Sequence, residues 1–295
     1  MLRSSGQGEA VAAWAAWALL SLLVVVTYTR VPTSQLYSVS QGGVAGGLRR
    51  AFMLSNFPAF LVAIALVLIA VDVLPRWGRW AGAAAIVLCV VGVWPGVVDQ
   101  SDLTHVRPVN ALPAAGVAIA AALTVAAVSR AGASFVPRLP GDLARLAVAG
   151  VVLLLSLPWI AADLGTYLPG HVFFTSTIVT EGKETLAAVH IGHHHGFDGA
   201  LLVLTALLLS RVRPAGRRLR VALPAYLAAV FAYGAVNAAE DVWHEQVAKR
   251  GWVAWRIPDA KEPSLSPVWL VILALAAVVY LVLARERSAD ASAPA

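Results

Sequence analysis

Long apolar runs dominate the chain and alternate with short segments that contain arginine, proline and acidic residues. An α-helix rises 1.5 Å per residue, so about 20 apolar residues cross the roughly 30 Å hydrocarbon core of a bilayer. The runs that approach or reach this length are 10–29, 51–73, 80–98, 109–128, 143–162, 196–211, 219–239 and 265–284. The sixth run is short, and we expect its helix to begin earlier, within 186–195, so that the span covers 186–211. We therefore expect an all-α, polytopic integral membrane protein with about eight transmembrane helices. In this interpretation residues 1–295 form a single transmembrane domain, in which residues 285–295 are a short polar tail.

The composition supports a membrane location. Of the 295 residues, 59% are hydrophobic and 13% are charged, whereas soluble domains average about 45–50% and about 25%. This composition excludes a water-soluble globular protein, a disordered chain and a nucleic-acid-binding protein. The single cysteine, Cys89, lies inside an apolar run, which excludes an intrachain disulfide and a CxxC metal or redox site.

The distribution of arginine and lysine predicts the orientation. The N-terminus, the second, fourth and sixth loops and the C-terminus hold 13 of the 22 basic residues but five of the 16 acidic residues. Basic residues accumulate on the cytoplasmic side of membrane proteins. We therefore expect both termini in the cytoplasm, in a bacterial-type plasma membrane, although Arg30, Arg49 and Arg50 in the first loop oppose this bias.

All seven histidines fall in loops at the opposite face, which we expect to be extracytoplasmic. The third loop contains His105, the fifth contains His171 and the stretch from His190 to His195, and the seventh contains His244. Acidic residues end the helices that enter these loops. We therefore expect the tips of the three loops to converge on one site at the membrane interface.

Imidazole and carboxylate groups in this arrangement indicate a metal site. If a helix already includes residue 190, then His190, His194 and Asp198 lie on one helix face at steps of four residues. Two histidines one turn apart can bind the same ion, and a carboxylate can ligate or orient it. The candidate metal ligands are His190, His193, His194, His244, Asp99, Asp198 and His105. This ligand set favours a divalent ion, zinc or iron.

The first hypothesis for function is a metal-dependent enzyme, a hydrolase or an oxidase, that acts on a lipid or another apolar substrate. Glu240 and Asp241 at the end of the seventh helix are the candidate catalytic residues, with Glu240 as the general base. Ionisable groups close to the hydrocarbon are costly, so they tend to mark function. Asp198 is the clearest case, because an apolar run follows it. The expected partners are membrane lipids and this substrate, and no nucleic acid.

One short pattern resembles a known motif. The spacing of His190, His193 and His194 is similar to the HxxHH histidine box of membrane di-iron desaturases and hydroxylases. The match covers five residues, and those families carry further boxes, whereas this chain has no second HxxHH. Their boxes also face the cytoplasm, opposite to the side expected here. The pattern therefore assigns no family.

Three other functions fit parts of the sequence. A metal-ion or proton carrier would collect ions at the histidine loops, but it needs polar residues at mid-membrane, where the runs offer little besides Cys89 and Ser156. A haem or quinone protein needs histidines that face each other from different helices, such as His190 and His244. A structural membrane protein would carry the histidine-rich loop without any catalytic site.

Overall fold

The structure, a computed structural model, describes residues 6–36, 41–94, 96–98, 107–181, 184–192, 195–258, 260 and 266–292. Within these ranges the chain is mostly helical, as the apolar runs predict. The helices are α1 (Gln7–Arg30), α2 (Gly43–Asn56), α3 (Ala59–Ala70), α4 (Arg76–Val90), α5 (Ala111–Ala131), α6 (Asp142–Leu155), α7 (Leu157–Asp163), α8 (His195–Leu209), α9 (Leu219–Trp243) and α10 (Val268–Ser292). A π-helical turn, His244–Ala248, continues α9.

Several of these helices are long and apolar enough to cross a membrane. Among the described residues there are five such segments: Gln7–Arg30, Arg76–Val93, Pro108–Ala131, Leu219–Ala248 and Val268–Arg287. Two bent pairs, α2 with α3 and α6 with α7, raise the number to seven if each pair forms one span. The apolar part of α8, Gly196–Leu209, is shorter. These helices fit a multi-pass membrane protein, and the number of eight spans stays a prediction.

Proline residues explain where the two pairs bend. Pro58 directly precedes α3, and Pro158 is the second residue of α7. Proline cannot donate a backbone hydrogen bond, and its ring clashes with the preceding helical turn. The axes of α2 and α3 meet at 55°, and those of α6 and α7 at 58°. The runs 51–73 and 143–162, each predicted as one helix, are therefore interrupted.

The sequence predicts that the sixth span begins at residue 186, but in the structure this helix begins later, at His195. Residues 178–181 and 184–187 form an antiparallel hairpin, β1 (Ile178–Glu181) with β2 (Glu184–Ala187). Ile191 then pairs with Leu36 in a parallel bridge, and Gly192 adopts a φ of 108° that is incompatible with an α-helix. The helix starts at His195, so the predicted helical face of His190, His194 and Asp198 is wrong. The same hairpin adds one small two-stranded sheet to a chain whose described part is otherwise mostly helical, as expected.

Contacts between the ends of different helices define two ends of the bundle. At one end the start of α1 meets the loop before α6, where the Gly8 N–H donates to Ser134 O at 3.0 Å. The end of α10 lies there too, because Arg145 of α6 pairs with Glu286 of α10 at 2.5 Å. We call this the arginine end, and the opposite end, which contains His190, the histidine end. The start of α1 and the end of α10 therefore lie at the same end of the bundle.

α8 and α9 pack closely at a pair of glycines. A Cβ added to Gly199 would lie 2.7 Å from Gly234 O, so the two backbones touch at this crossing. Small residues allow such close approach between helices in membranes. Leu202, Leu227 and Trp159 are fully buried in the adjoining core. α6 and α10 instead expose many large apolar side chains, which is typical of surfaces that contact lipid.

Candidate functional site

Five carboxylate side chains of the described residues are buried at the histidine end. Asp163 ends α7, Asp198 lies in the first turn of α8, Glu240 and Asp241 lie near the end of α9, and Glu245 lies in the π-helical turn. Each is at most 7% exposed. A buried carboxylate needs hydrogen-bond donors, cations or a proton, because removing a charge from water is costly. This acidic cluster is therefore the main candidate for a functional site.

The start of α8 is held between α7 and α9. The Gly196 N–H donates to Asp241 Oδ2, and a Cβ added at Gly196 would collide with the Trp159 ring and lie 2.7 Å from Asp241 Cβ. The first N–H groups of a helix have no partner within the helix, and carboxylates satisfy them well. Asp241 therefore fixes the residue that directly follows the histidine stretch 190–195.

A second hydrogen bond joins α7 to the π-helical turn. Trp159 Nε1 donates to Glu245 Oε2 at 2.6 Å in a buried setting. Trp159 itself is 1% exposed. Asp163 follows Trp159 by one helical turn and so lies on the same face of α7. One face of this short helix thus carries both an indole donor and a buried acid.

α1 and α2 contribute groups that sequence reasoning missed. The Arg50 guanidinium lies within electrostatic range of Asp163, Asp198 and the Tyr28 hydroxyl. Thr27 Oγ1 donates to the backbone carbonyl of Asp163, which places the end of α1 against the end of α7. In the sequence, Arg50 appears as a charge that opposes the orientation bias. In the structure it is a counter-charge for two buried acids, a role that no local pattern indicates.

Described contacts join the fifth and seventh predicted loops, whereas residues 99–106 of the third loop lie outside the described residues. Gln246 binds both backbone groups of Phe174, since its Oε1 accepts from the N–H at 2.8 Å and its Nε2 donates to the carbonyl at 3.1 Å. Lys249 Nζ donates to Ala188 O at 2.9 Å, two residues before His190. The seventh loop therefore anchors the segment that leads to the histidine stretch.

The chain after the π-helical turn folds back against the end of α9. The Ala260 N–H donates to the buried Asn237 Oδ1 at 3.2 Å. Trp243 Nε1 donates to Trp255 O at 3.1 Å, and the two rings lie 4.2 Å apart. Trp252 and Trp255 are 68% and 59% exposed. Exposed indole rings of this kind concentrate at the membrane–water interface.

The predicted site residues fall into two groups. The structure places five of them at the histidine end: Asp198, Glu240 and Asp241, which are buried, and His190 and His244, which are half-buried. The other four, Asp99, His105, His193 and His194, lie outside the described residues. In the described part of the chain, no group of three or more histidine, cysteine and acidic side chains could hold a metal ion. These residues alone therefore do not complete a metal centre.

The charges at this end limit what the cluster can do. The Arg50 guanidinium lies within electrostatic range of Asp163 and Asp198, and the Lys249 ammonium group binds the backbone carbonyl of Ala188 in the fifth loop. Hydrogen-bond donors, cations or protons stabilise carboxylates that are buried in this way. A protonated carboxyl group can serve as a general acid or base, and carboxylates beside imidazoles can bind a metal ion. No known protein family, curated protein or solved structure matches the chain, so function must be inferred from this site.

Proposed function

We propose that this protein is an integral membrane metalloprotein with a histidine and carboxylate site at the extracytoplasmic interface, where it acts as an enzyme on a lipid or another apolar substrate. The hydrogen bond from the Gly196 N–H to Asp241 carries this proposal. It ties the residue after the histidine stretch 190–195 to the part of α9 that leads into Glu240 and His244. The chain that follows the fifth loop and the chain that leads into the seventh loop are therefore held together by a described contact.

The proposed ligands come from three loops. His190, His194 and His244 supply the nitrogen ligands, and Asp99 or Asp198 supplies an oxygen ligand. Zinc or iron is the ion whose preferences fit this donor set. When bound, such an ion acts as a Lewis acid and activates a coordinated water molecule.

The neighbouring acids have separate roles in this proposal. Glu240 is the general base, since it is buried in an acidic cluster at the end of α9. Asp241 is a positioning residue, because its Oδ2 already accepts the Gly196 N–H and so orients the start of α8. Arg50 compensates the charge of the acids on α7 and α8. The site thus contains a proton acceptor, an anchoring carboxylate and a fixed counter-charge.

The surroundings of the site favour an apolar substrate. The exposed rings of Trp252 and Trp255 lie in the segment that folds back on α9. Aromatic rings at an interface contact both acyl chains and headgroups. A lipid can reach a site at this depth from the membrane without passing through water.

The metal content of the purified protein tests the proposal. Elemental analysis would compare the wild-type protein, offered zinc or iron in detergent, with His190→Ala, His194→Ala and His244→Ala. His171→Ala is the matched control, because His171 is an exposed histidine of the same loop. We expect about one ion per chain in the wild type and the control, and loss of most of it in each ligand variant. The content should also be lower at about pH 5.5 than at about pH 8, because protons compete for imidazole.

Two outcomes would overturn this function. If the three variants and the control retain equal amounts of metal, the histidines do not share a site. If the wild type binds no metal under any of these conditions, a structural membrane protein becomes the better interpretation. Conversion of a lipid from a membrane extract by the metal-loaded wild type, but not by Glu240→Gln, would distinguish an enzyme from a carrier. A carrier would instead accumulate the ion inside proteoliposomes.

A further inference from the structure

A crevice lies at the arginine end, at the opposite end of the bundle from the acidic cluster. It has a volume of about 370 Å³ and is bounded by α6, α8, α9 and α10. Its walls are almost entirely apolar and include Ala144, Val148, Leu207, Phe231, Val278 and Val282. Ligand sites in proteins have volumes of about 300–1,000 Å³, so the crevice is large enough for a ligand. Its volume and apolar lining suit a hydrocarbon chain.

The crevice opens on the apolar outer surface of the bundle. Ala144 and Val148 on α6 are exposed, and Val278 and Val282 on α10 are 58% and 59% exposed although they also line it. The same two helices expose further large side chains, such as Leu146 at 69%. A crevice bordered by these faces opens towards lipid acyl chains rather than towards water.

One end of the crevice is polar and rigid. Arg145 donates from Nη1 to Glu286 Oε1 at 2.8 Å, from Nη2 to Glu286 Oε2 at 2.5 Å and from Nε to Ser210 Oγ at 2.8 Å. All three residues line the crevice. A bidentate pair of this kind fixes the guanidinium and carboxylate geometry. It also joins α6, α8 and α10 at the arginine end.

Arginines outnumber acids around this polar end. Arg213 Nη2 lies 3.9 Å from Glu286 Oε1, so Glu286 meets both Arg145 and Arg213. Arg287 donates to backbone carbonyl groups of the loop that follows α8. The same loop contains Arg217 and Arg218, and Arg220 lies in the first turn of α9. Clusters of basic residues at a membrane surface attract anionic headgroups.

We propose that the crevice binds one acyl chain of an anionic phospholipid from the leaflet at the arginine end, with the phosphate beside the arginines around Glu286. The apolar walls select the chain, and the excess of arginine selects the negative headgroup. A neutral phospholipid offers the same chain but lacks the charge. This site is independent of the metal site proposed at the opposite end.

Photo-crosslinking in lipid nanodiscs tests this proposal. The probe is a phosphatidylglycerol with a diazirine on one acyl chain, and peptide mass spectrometry locates the labelled residues. We expect preferential labelling of the lining segments on α6 and α10, and competition by unlabelled phosphatidylglycerol several-fold stronger than by phosphatidylcholine. Ala144→Trp, which fills the crevice, should reduce this labelling several-fold. Ala147→Trp is the matched control, because Ala147 is exposed on the same helix but is not among the lining residues.

A second filling variant, Val148→Trp, keeps the test decisive if Ala144→Trp fails to fold. The proposal is overturned if both folded filling variants are labelled like Ala147→Trp. It is also overturned if phosphatidylcholine competes as well as phosphatidylglycerol, since the headgroup charge would then play no part.

Discussion

At the scale of single residues, the acidic cluster depends on a few donors that come from distant parts of the chain. Trp159 Nε1 reaches Glu245 at 2.6 Å across 86 positions of sequence. Arg50 of α2 faces acids of α7 and α8. Each of these contacts places a donor or a cation beside a carboxylate that is almost completely buried. Removal of either contact should therefore lower the stability of the fold by more than the loss of an exposed contact does.

The Trp159 contact gives the first prediction. Trp159→Phe keeps most of the ring volume but removes the N–H that Glu245 accepts, so we expect a loss of about 1–3 kcal/mol in stability. The midpoint of thermal unfolding in detergent, at one fixed heating rate, measures this effect. Trp80→Phe is the control, since Trp80 is 70% exposed. Equal midpoints for the two variants would show that the indole bond does not stabilise the site.

Arg50 gives the second prediction. Arg50→Gln removes a counter-charge from beside Asp163 and Asp198, so it should destabilise the fold by about 1–3 kcal/mol. The adjacent Arg49 is exposed, and Arg49→Gln should have little effect. Chemical denaturation of both variants in the same detergent measures the difference. If Arg49→Gln lowers the free energy of unfolding as much as Arg50→Gln does, the two arginines act in membrane orientation and Arg50 does not stabilise the acidic cluster.

Sequence reasoning predicted only part of this residue-level picture. It indicated that Asp198 needs a partner, because an apolar run follows this acid. It did not identify Arg50, which is remote in sequence and adjacent to Arg49 in a segment that looks like an orientation signal. Contacts between helices depend on which faces meet, and the periodicity of one helix does not determine that.

At the scale of secondary-structure elements, the site is positioned by the crossing of α8 and α9. Gly199 and Gly234 bring the two backbones together there. This contact lies close to Gly196, whose N–H is bound by Asp241. The end of α9 and the start of α8 can therefore share one cluster of acids.

This crossing gives the third prediction. Gly199→Leu forces side-chain atoms against the backbone of α9, where an added Cβ would already lie 2.9 Å from Ala238 N. We expect this overpacking to lower the free energy of unfolding by about 1–3 kcal/mol. Gly150→Leu on α6 is the control, because a Cβ there meets nothing within 4 Å. Similar unfolding midpoints for both variants would mean that α8 and α9 do not need close contact.

The elements themselves were predicted unevenly from the sequence. Long apolar runs indicate helices well, and α1, α5 and α9 lie close to their predicted ranges. The hairpin β1–β2 was missed, because residues 178–187 mix apolar and polar side chains without a clear helical or strand period. The late start of α8 was missed for a related reason, since Ile191 pairs with Leu36, which is remote in sequence. Such pairing is a tertiary effect and overrides local propensity.

At the scale of the whole molecule, the two ends of the bundle differ in chemistry. The arginine end contains the ion pairs of Arg145 with Glu286 and of Arg211 with Glu9. The histidine end contains the buried acids and the half-buried His190. The described contacts join the fifth and seventh predicted loops at the histidine end, and the convergence of the third loop with them stays a prediction. The side of the membrane that each end faces remains a prediction from the arginine distribution.

Topology reporters provide the fourth prediction. A reporter fused after Arg213 should behave as cytoplasmic, and one inserted beside His171 should behave as extracytoplasmic. Arg213 belongs to the arginine end, and His171 is exposed in the fifth loop. The reverse pattern would place the histidines in the cytoplasm, on the side where the histidine boxes of membrane desaturases lie. The proposed extracytoplasmic site would then be wrong.

X-ray absorption spectroscopy of the zinc-loaded wild-type protein tests the central claim most directly, because it reports the ligands of the bound ion. We predict nitrogen and oxygen ligands at about 2.0–2.2 Å, together with outer-shell scattering from two or three imidazole rings. The imidazole scattering should decrease in His244→Ala and remain unchanged in His171→Ala. A spectrum with oxygen ligands alone, or one that His244→Ala does not change, would contradict a metal site shared by the fifth loop and α9.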